Sequence, residues 1–236
     1  EGNGNVIYLS SGLPFTTIVN NRFIDCGCST IGSVIESEAK EFIFIDNIIR
    51  FTKQNQGTRG ILFPCQCTVN ISDSTISGCN SIEEGGGILY RGDTSNQPEF
   101  IHIEKTVFED NNASNRCALL LNIRSLPNIA SLLVEIKNCS FQNNNVNSNE
   151  GSVLHLNISS DVNIYDCDFT DCGISEKGSV IFLNGEKVSI SNITNKFTQE
   201  NKSSCGIEIN SFSEIEFTNN SFIWWRYSNK YKLKRK

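Results

Sequence analysis

A unit of about 27 residues recurs along the chain and decides its architecture. Each unit runs from a small residue through an apolar stretch, a polar gap and an alternating segment to a bulky apolar residue and a polar turn. The small residue falls at Ser33, Gly60, Gly87, Ala118, Ser152, Ser179 and Gly206, with spacings of 27, 27, 31, 34, 27 and 27. In the second half of the units the pairs Val69/Ile71, Ile101/Ile103, Val134/Ile136, Val162/Ile164 and Val188/Ile190 enclose Asn70, His102, Glu135, Asn163 and Ser189. A period of two marks a strand with one buried face. Five residues past the second apolar position comes Ile76, Phe108, Phe141 or Phe169, slipping to Phe197 in the seventh unit.

A helical repeat of this length would show a 3.6-residue period, which is absent. Ile, Val and Phe dominate instead, with Asn and Gly in the gaps. Two or three short strands cannot bury their own apolar face, but stacked units can, with strands ~4.8 Å apart. Turns such as Asn143-Asn144-Asn145 suit this, because Asn tolerates left-handed backbone. The expectation is an all-β, single-domain parallel β-helix of about eight coils over residues 1–222. Residues 223–236 form a basic tail or a truncated edge.

Charge narrows the partners. The net charge is −6, yet residues 226–236 carry six basic groups and no acid. The remainder has 14 basic and 26 acidic residues, a balance of −12. An acidic body lacks the basic footprint that nucleic acid requires. No run of 18 apolar residues occurs, so no membrane-spanning segment is expected. The chain has no Met and begins at Glu1, which reads as a processed chain or a piece of a longer one.

Two short motifs carry a resemblance. Gly85-Gly86-Gly87-Ile88 supplies GGxI, and Phe108-Glu109-Asp110-Asn111 and Phe141-Gln142-Asn143-Asn144 supply FxxN. The second is relaxed to Cys at Phe23-Ile24-Asp25-Cys26 and Phe169-Thr170-Asp171-Cys172. Over residues 6–222 the pattern resembles the repeats of chlamydial polymorphic outer-membrane proteins. It is also similar to β-helix surface proteins of parasitic protists such as trichomonads. The resemblance implies a right-handed coil, an extracellular or cell-surface location and an adhesion role, without a defined active site.

Ten cysteines favour an oxidising compartment. The repeat puts Cys139 and Cys167 two residues before the Phe of consecutive coils, a separation compatible with a disulfide. Free thiols filling the core are the alternative. Zinc is a third, but Cys26-Gly27-Cys28 and Cys65-Gln66-Cys67 lack the usual two-residue gap. Cys26 and Cys79 share another column two coils apart.

Seven N-glycosylation sequons occur, at Asn70, Asn112, Asn138, Asn157, Asn192, Asn201 and Asn219. Chance alone gives nearly as many. Asn112 and Asn201 are the expected acceptors because both read as turn residues. Arg91-Gly92-Asp93 reads as an integrin-type tripeptide, although Gly-Asp is also ordinary turn chemistry. For catalysis the candidates are Asp166, Asp168 and Asp171, with Glu83 and Glu84; no Arg or Lys shares their columns in the clear repeats. Three residues past the small residue lie Phe63, Tyr90, Leu121, His155 and Phe182, after two further apolar columns. Successive strand residues face opposite sides, so an outward ladder is expected unless a loop or a bend covers it.

These readings favour an extracellular or cell-surface adhesion or binding scaffold for a glycan or a host or cell-surface protein. A pectin-lyase-like carbohydrate-active enzyme and a structural stalk are the alternatives. No catalytic residue, metal or cofactor is assigned. The longer units carry their extra residues around Ser95–Pro98 and Ser125–Ala130, as loops on one side of a solenoid do.

Overall fold

In the computed structural model the chain is all-β, with parallel strands stacked into a β-solenoid of about six turns. Described are residues 6–26, 32–52, 58–64, 67–82, 84–92, 100–114, 118–123, 132–146, 152–158, 160–172, 179–196 and 206–223. Asn201, Cys28, Cys65, Cys117, Cys205, Glu83, Asp93 and the basic tail lie outside them. No helix among the described residues is long and apolar enough to cross a membrane.

Each turn has three sides. The first includes Gly32–Ser37, Thr58–Phe63, Ile88–Gly92, Leu119–Ile123 and Ser152–Ile158. The second includes Glu41–Ile45, Thr68–Ser72, Phe100–Glu104, Leu133–Lys137 and Asp161–Tyr165. The Ser179–Ser191 strand runs along both. The third side is an eight-stranded sheet that includes Ile48–Arg50, Thr75–Ser77, Val107–Glu109, Ser140–Gln142 and Asp168–Thr170.

The alternating pairs stack in register on the second side, Val69 to Ile101 to Val134 to Val162 to Val188. All five are buried. On the third side the rings of Phe108, Phe141 and Phe169 stack at centroid distances of 4.9 and 4.6 Å, within 5° and 2° of parallel. A fully buried side chain of this size contributes about 1.5–3 kcal/mol.

The corners follow from backbone sterics. Between the second and third sides, Asn20, Asp46, Asp73, Lys105, Asn138, Asp166, Asn192 and Asn219 all have φ between 45° and 55°. Seven of the eight are Asn or Asp, the side chains that tolerate this region best. Lys105 holds the same conformation without that advantage. The next residue points inward and is buried, as at Asn47, Ser74, Thr106, Cys139, Cys167 and Ile193. The corner after the third side repeats the device at Asp25, Gly78, Asp110, Asn143 and Asp171. At Gly78 an added Cβ would lie 2.3 Å from the Phe51 carbonyl oxygen, so only glycine fits there.

Buried asparagines close the backbone at these corners. Asn144 Oδ1 accepts from Asn111 N at 3.1 Å, and its Nδ2 donates to Phe108 O at 2.8 Å. Asn111 in turn accepts from Cys79 N at 3.1 Å and donates to Ile76 O at 2.9 Å. The chain ends are more open: Phe15 and Val19 at one end and Ile215 and Phe217 at the other are exposed.

Candidate functional site

Two outer surfaces carry concentrated polar chemistry, and each is assembled from residues about 30 positions apart. The first is on the second side, where His102 stands opposite Glu135, and Glu104 opposite Lys137. His102 Nδ1 lies 2.7 Å from Glu135 Oε2, and Nε2 lies 3.2 Å from Glu104 Oε2. Lys137 Nζ reaches both carboxylates, at 3.4 Å to Glu104 and 3.6 Å to Glu135. Tyr165 donates its hydroxyl to Glu135 Oε1 at 2.7 Å, and Lys105 flanks Glu104 at 3.6 Å.

The electrostatics of this patch are those of matched charges. Burial alone would raise Glu104, but hydrogen bonds from His102 and Lys137 and the two lysine charges hold it below the usual carboxylate range. Burial likewise opposes ionisation of Glu135, and the Tyr165 hydrogen bond with the Lys137 and His102 charges outweighs it. Burial works against the Lys137 charge, yet its two carboxylate neighbours push its pKa up. Tyr165 is pushed up to about 12, by burial first and then by its bond to Glu135. A general acid at neutral pH needs a carboxyl raised toward that pH. Both carboxyls here are shifted away from it and stand as fixed anions.

This patch ties stability to pH. Each carboxyl is depressed in the folded state, so its contribution is present above the unfolded value near 4.5 and is lost as pH falls through the lower folded value. Tyr165 has the opposite sign: its contribution holds below the ordinary tyrosine range and is lost as pH rises toward about 12. Thermal melts of the wild type should lose Tm as pH drops below about 4.5. The double variant Glu104→Gln/Glu135→Gln should lose less over the same range. Identical slopes for both proteins would contradict this assignment.

The second surface is a groove along the corner after the third side. It encloses about 240 Å³ and is lined by Phe51, Thr52, Gly78, Asp110, Asn112, Asn143 and Asn145. Backbone bonds from Phe51 N to Ser77 O, Gly78 N to Glu109 O and Asp110 N to Gln142 O place these corner residues and Asn143 on four successive turns. Asn112 and Asn145 form a second column, paired in register on the short strands Asn112–Ala113 and Asn145–Val146. Asn112 Oδ1 is buried in the groove wall and has no hydrogen-bond partner among the described residues.

The expected outward ladder is divided. The first-side register aligns Phe63 with Tyr90, Tyr90 with Leu121, and Leu121 with Leu156. Phe63, Tyr90 and Leu121 are therefore one inward column and are buried. Tyr90 donates its hydroxyl to Cys67 O at 2.9 Å and accepts from Cys67 N at 2.8 Å. His155 instead aligns with Leu120 and Phe182, on the outward column. Its ring stacks on Phe182 at 4.4 Å, and Nδ1 lies 2.9 Å from Ser152 Oγ. On that column Leu89, Leu120 and His155 are nonetheless covered, at 1%, 0% and 7% exposure.

The acidic candidates are not brought together. Asp166 is exposed at one corner with its Oδ1 bound by Asn192, Asp168 faces outward on the third side, and Asp171 is buried at the next corner. Glu84 pairs with Arg91 at 3.2 Å. Among the described residues no group of three or more His, Cys, Asp or Glu is arranged to hold a metal ion.

Cys139 and Cys167 occupy one corner position on consecutive turns, since Ser140 pairs with Asp168. Both are thiols in this structure, as are Cys26, Cys67, Cys79 and Cys172. A hydrogen bond with Cys139, then burial, pushes the Cys167 thiol up, and burial alone pushes up Cys79. Cys79 and Cys167 are buried in the core, where a thiol packs as a small apolar group.

The strand stacking defines the chain as a β-solenoid with a polar corner groove and a charged side. No protein-family model, curated protein or solved structure matches it.

Proposed function

We propose that the chain is an extracellular or cell-surface binding scaffold whose ligand is an extended, hydroxyl-rich polymer, a glycan, seated along the corner groove. The observation that carries this is a groove across four successive turns whose lining is mostly polar, with Thr52, Asp110, Asn112, Asn143 and Asn145 beside Phe51 and Gly78. The Thr52 hydroxyl, the Asp110 carboxylate and the amides of Asn112, Asn143 and Asn145 offer acceptors and donors to a row of hydroxyls. Four turns span about 14 Å, which favours a linear ligand over a compact one. The proposed coil is right-handed, as nearly all parallel crossovers are. With the open end strands it has about eight levels. The same surface could seat an extended segment of a host or cell-surface protein, and the motif resemblance to chlamydial and trichomonad surface proteins points to adhesion.

The test is retention of neutral and acidic polysaccharides on the immobilised chain, with soluble products followed in the same wells. The wild type should retain at least one class, and Asn112→Ala/Asn145→Ala should weaken it about tenfold, equivalent to about 1.4 kcal/mol. No retained polysaccharide, or equal retention by the variant, would contradict the proposal. New reducing ends or unsaturated products would favour the pectin-lyase-like enzyme instead.

A further inference from the structure

Eight corners between the second and third sides share one backbone plan. A left-handed residue turns the chain, the next is buried at six of the eight, and the third opens a third-side strand facing outward. Where the first is Asn and the third is Ser or Thr, this plan spells a sequon. It does so at Asn138-Cys139-Ser140, Asn192-Ile193-Thr194 and Asn219-Asn220-Ser221. All three asparagines are exposed. Their φ values are 52°, 53° and 52°, so the amides project from the corner rather than from a strand. Ser140, Thr194 and Ser221 share one outer column, linked in register through Asp168.

The other described sequons sit differently. Asn70 is half-buried within a second-side strand, in register with His102. Asn112 lines the groove with its Oδ1 covered. Asn157 is half-buried in an amide ladder, donating to Asn122 at 3.2 Å and accepting from Asn184 at 2.8 Å. Asn70 and Asn157 are thus half-buried within strands, with the Asn157 amide engaged on both sides, and Asn112 has its Oδ1 covered.

We propose that Asn138, Asn192 and Asn219 are the N-glycan acceptors, arrayed along one edge of the solenoid, and that Asn70, Asn112 and Asn157 are unmodified. This rests on the reading that the chain passes through a secretory compartment. Asn192 Nδ2 donates to Asp166 Oδ1 at 2.8 Å, a bond that its second amide hydrogen allows a glycosylated Asn to keep. The acceptor edge is a different corner from the binding groove, so attached glycans leave the groove open.

The experiment expresses the full chain behind a cleavable secretion leader in a eukaryotic host, which imposes the route. Glycans are then released enzymatically in heavy-oxygen water and the labelled asparagines are read by peptide mass. Label is expected at Asn138, Asn192 and Asn219, with none at Asn70, Asn112 or Asn157. The variants Asn138→Asp, Asn192→Asp and Asn219→Asp should each remove one glycan and still fold, because Asp46, Asp73 and Asp166 already hold this corner. Label on a strand or groove asparagine, or three unmodified corner sites, would overturn the proposal. Corner glycans under the imposed route, but none on protein from its natural source, would leave the acceptor assignment standing and remove the secretory reading.

Discussion

Phe141→Ala is expected to destabilise the chain by about 3–5 kcal/mol, the cost of truncating a fully buried ring. Phe141 is fully buried and stacks on both sides, at 4.9 Å to Phe108 and 4.6 Å to Phe169. Each turn of a solenoid gains stability mainly from its two neighbours. Removing this ring leaves a cavity at two interfaces at once. Backbone pairing from Ser140–Gln142 to both adjacent turns limits collapse into the space. Urea unfolding followed by far-UV circular dichroism should show a clearly lower midpoint. An unchanged midpoint would mean that the phenylalanine stack is not part of the core.

Tyr90→Ser and Phe182→Ser should part company, although both came from one expected column. Tyr90 is fully buried and satisfies both the N–H and the C=O of Cys67. Serine is too short to reach either group. The loss of the ring costs about 3–5 kcal/mol, and the two hydrogen bonds to Cys67 are lost with it. Phe182 is half-buried on the outward column, and its main contact is the His155 ring at 4.4 Å. Its replacement should cost about 1 kcal/mol. The comparison is read from soluble yield and melting temperature. Equal loss in both variants would contradict the divided column.

That division shows what the sequence could and could not reveal. Strand alternation is local, so Val134/Ile136 and Val162/Ile164 announced their buried face directly. Register between turns is not local. The small residues Ala118 and Ser152 look equivalent, but hydrogen bonding sets Leu119 opposite Leu154, which moves Ser152 one place early. A one-residue offset reverses which side chains face inward, and this separated Leu121 from His155. Corner asparagines were legible as turn formers, whereas Asn111 and Asn144 were not legible as core residues. Their polarity hides that each closes backbone groups of the neighbouring turn.

The candidate sites were the least visible part. The repeat set His102 and Glu135, 33 positions apart, in one column of adjacent units, but it did not show that the side chains pair at 2.7 Å. The groove draws one or two residues from each of four turns, with no contiguous motif beyond turn chemistry. Asn112 stood out as a sequon and turns out to line the groove. The exposed sequons are those written by the corner geometry itself.

The most direct test of the binding account is affinity against ligand length. Isothermal titration of the full chain with a size series of the retained polysaccharide should show affinity rising with each added sugar until the oligomer spans the groove, about 14 Å over four turns, and then levelling off. Asn112→Ala/Asn145→Ala should lower that plateau. Affinity independent of length, or a plateau that the variant leaves untouched, would contradict a ligand lying along this corner.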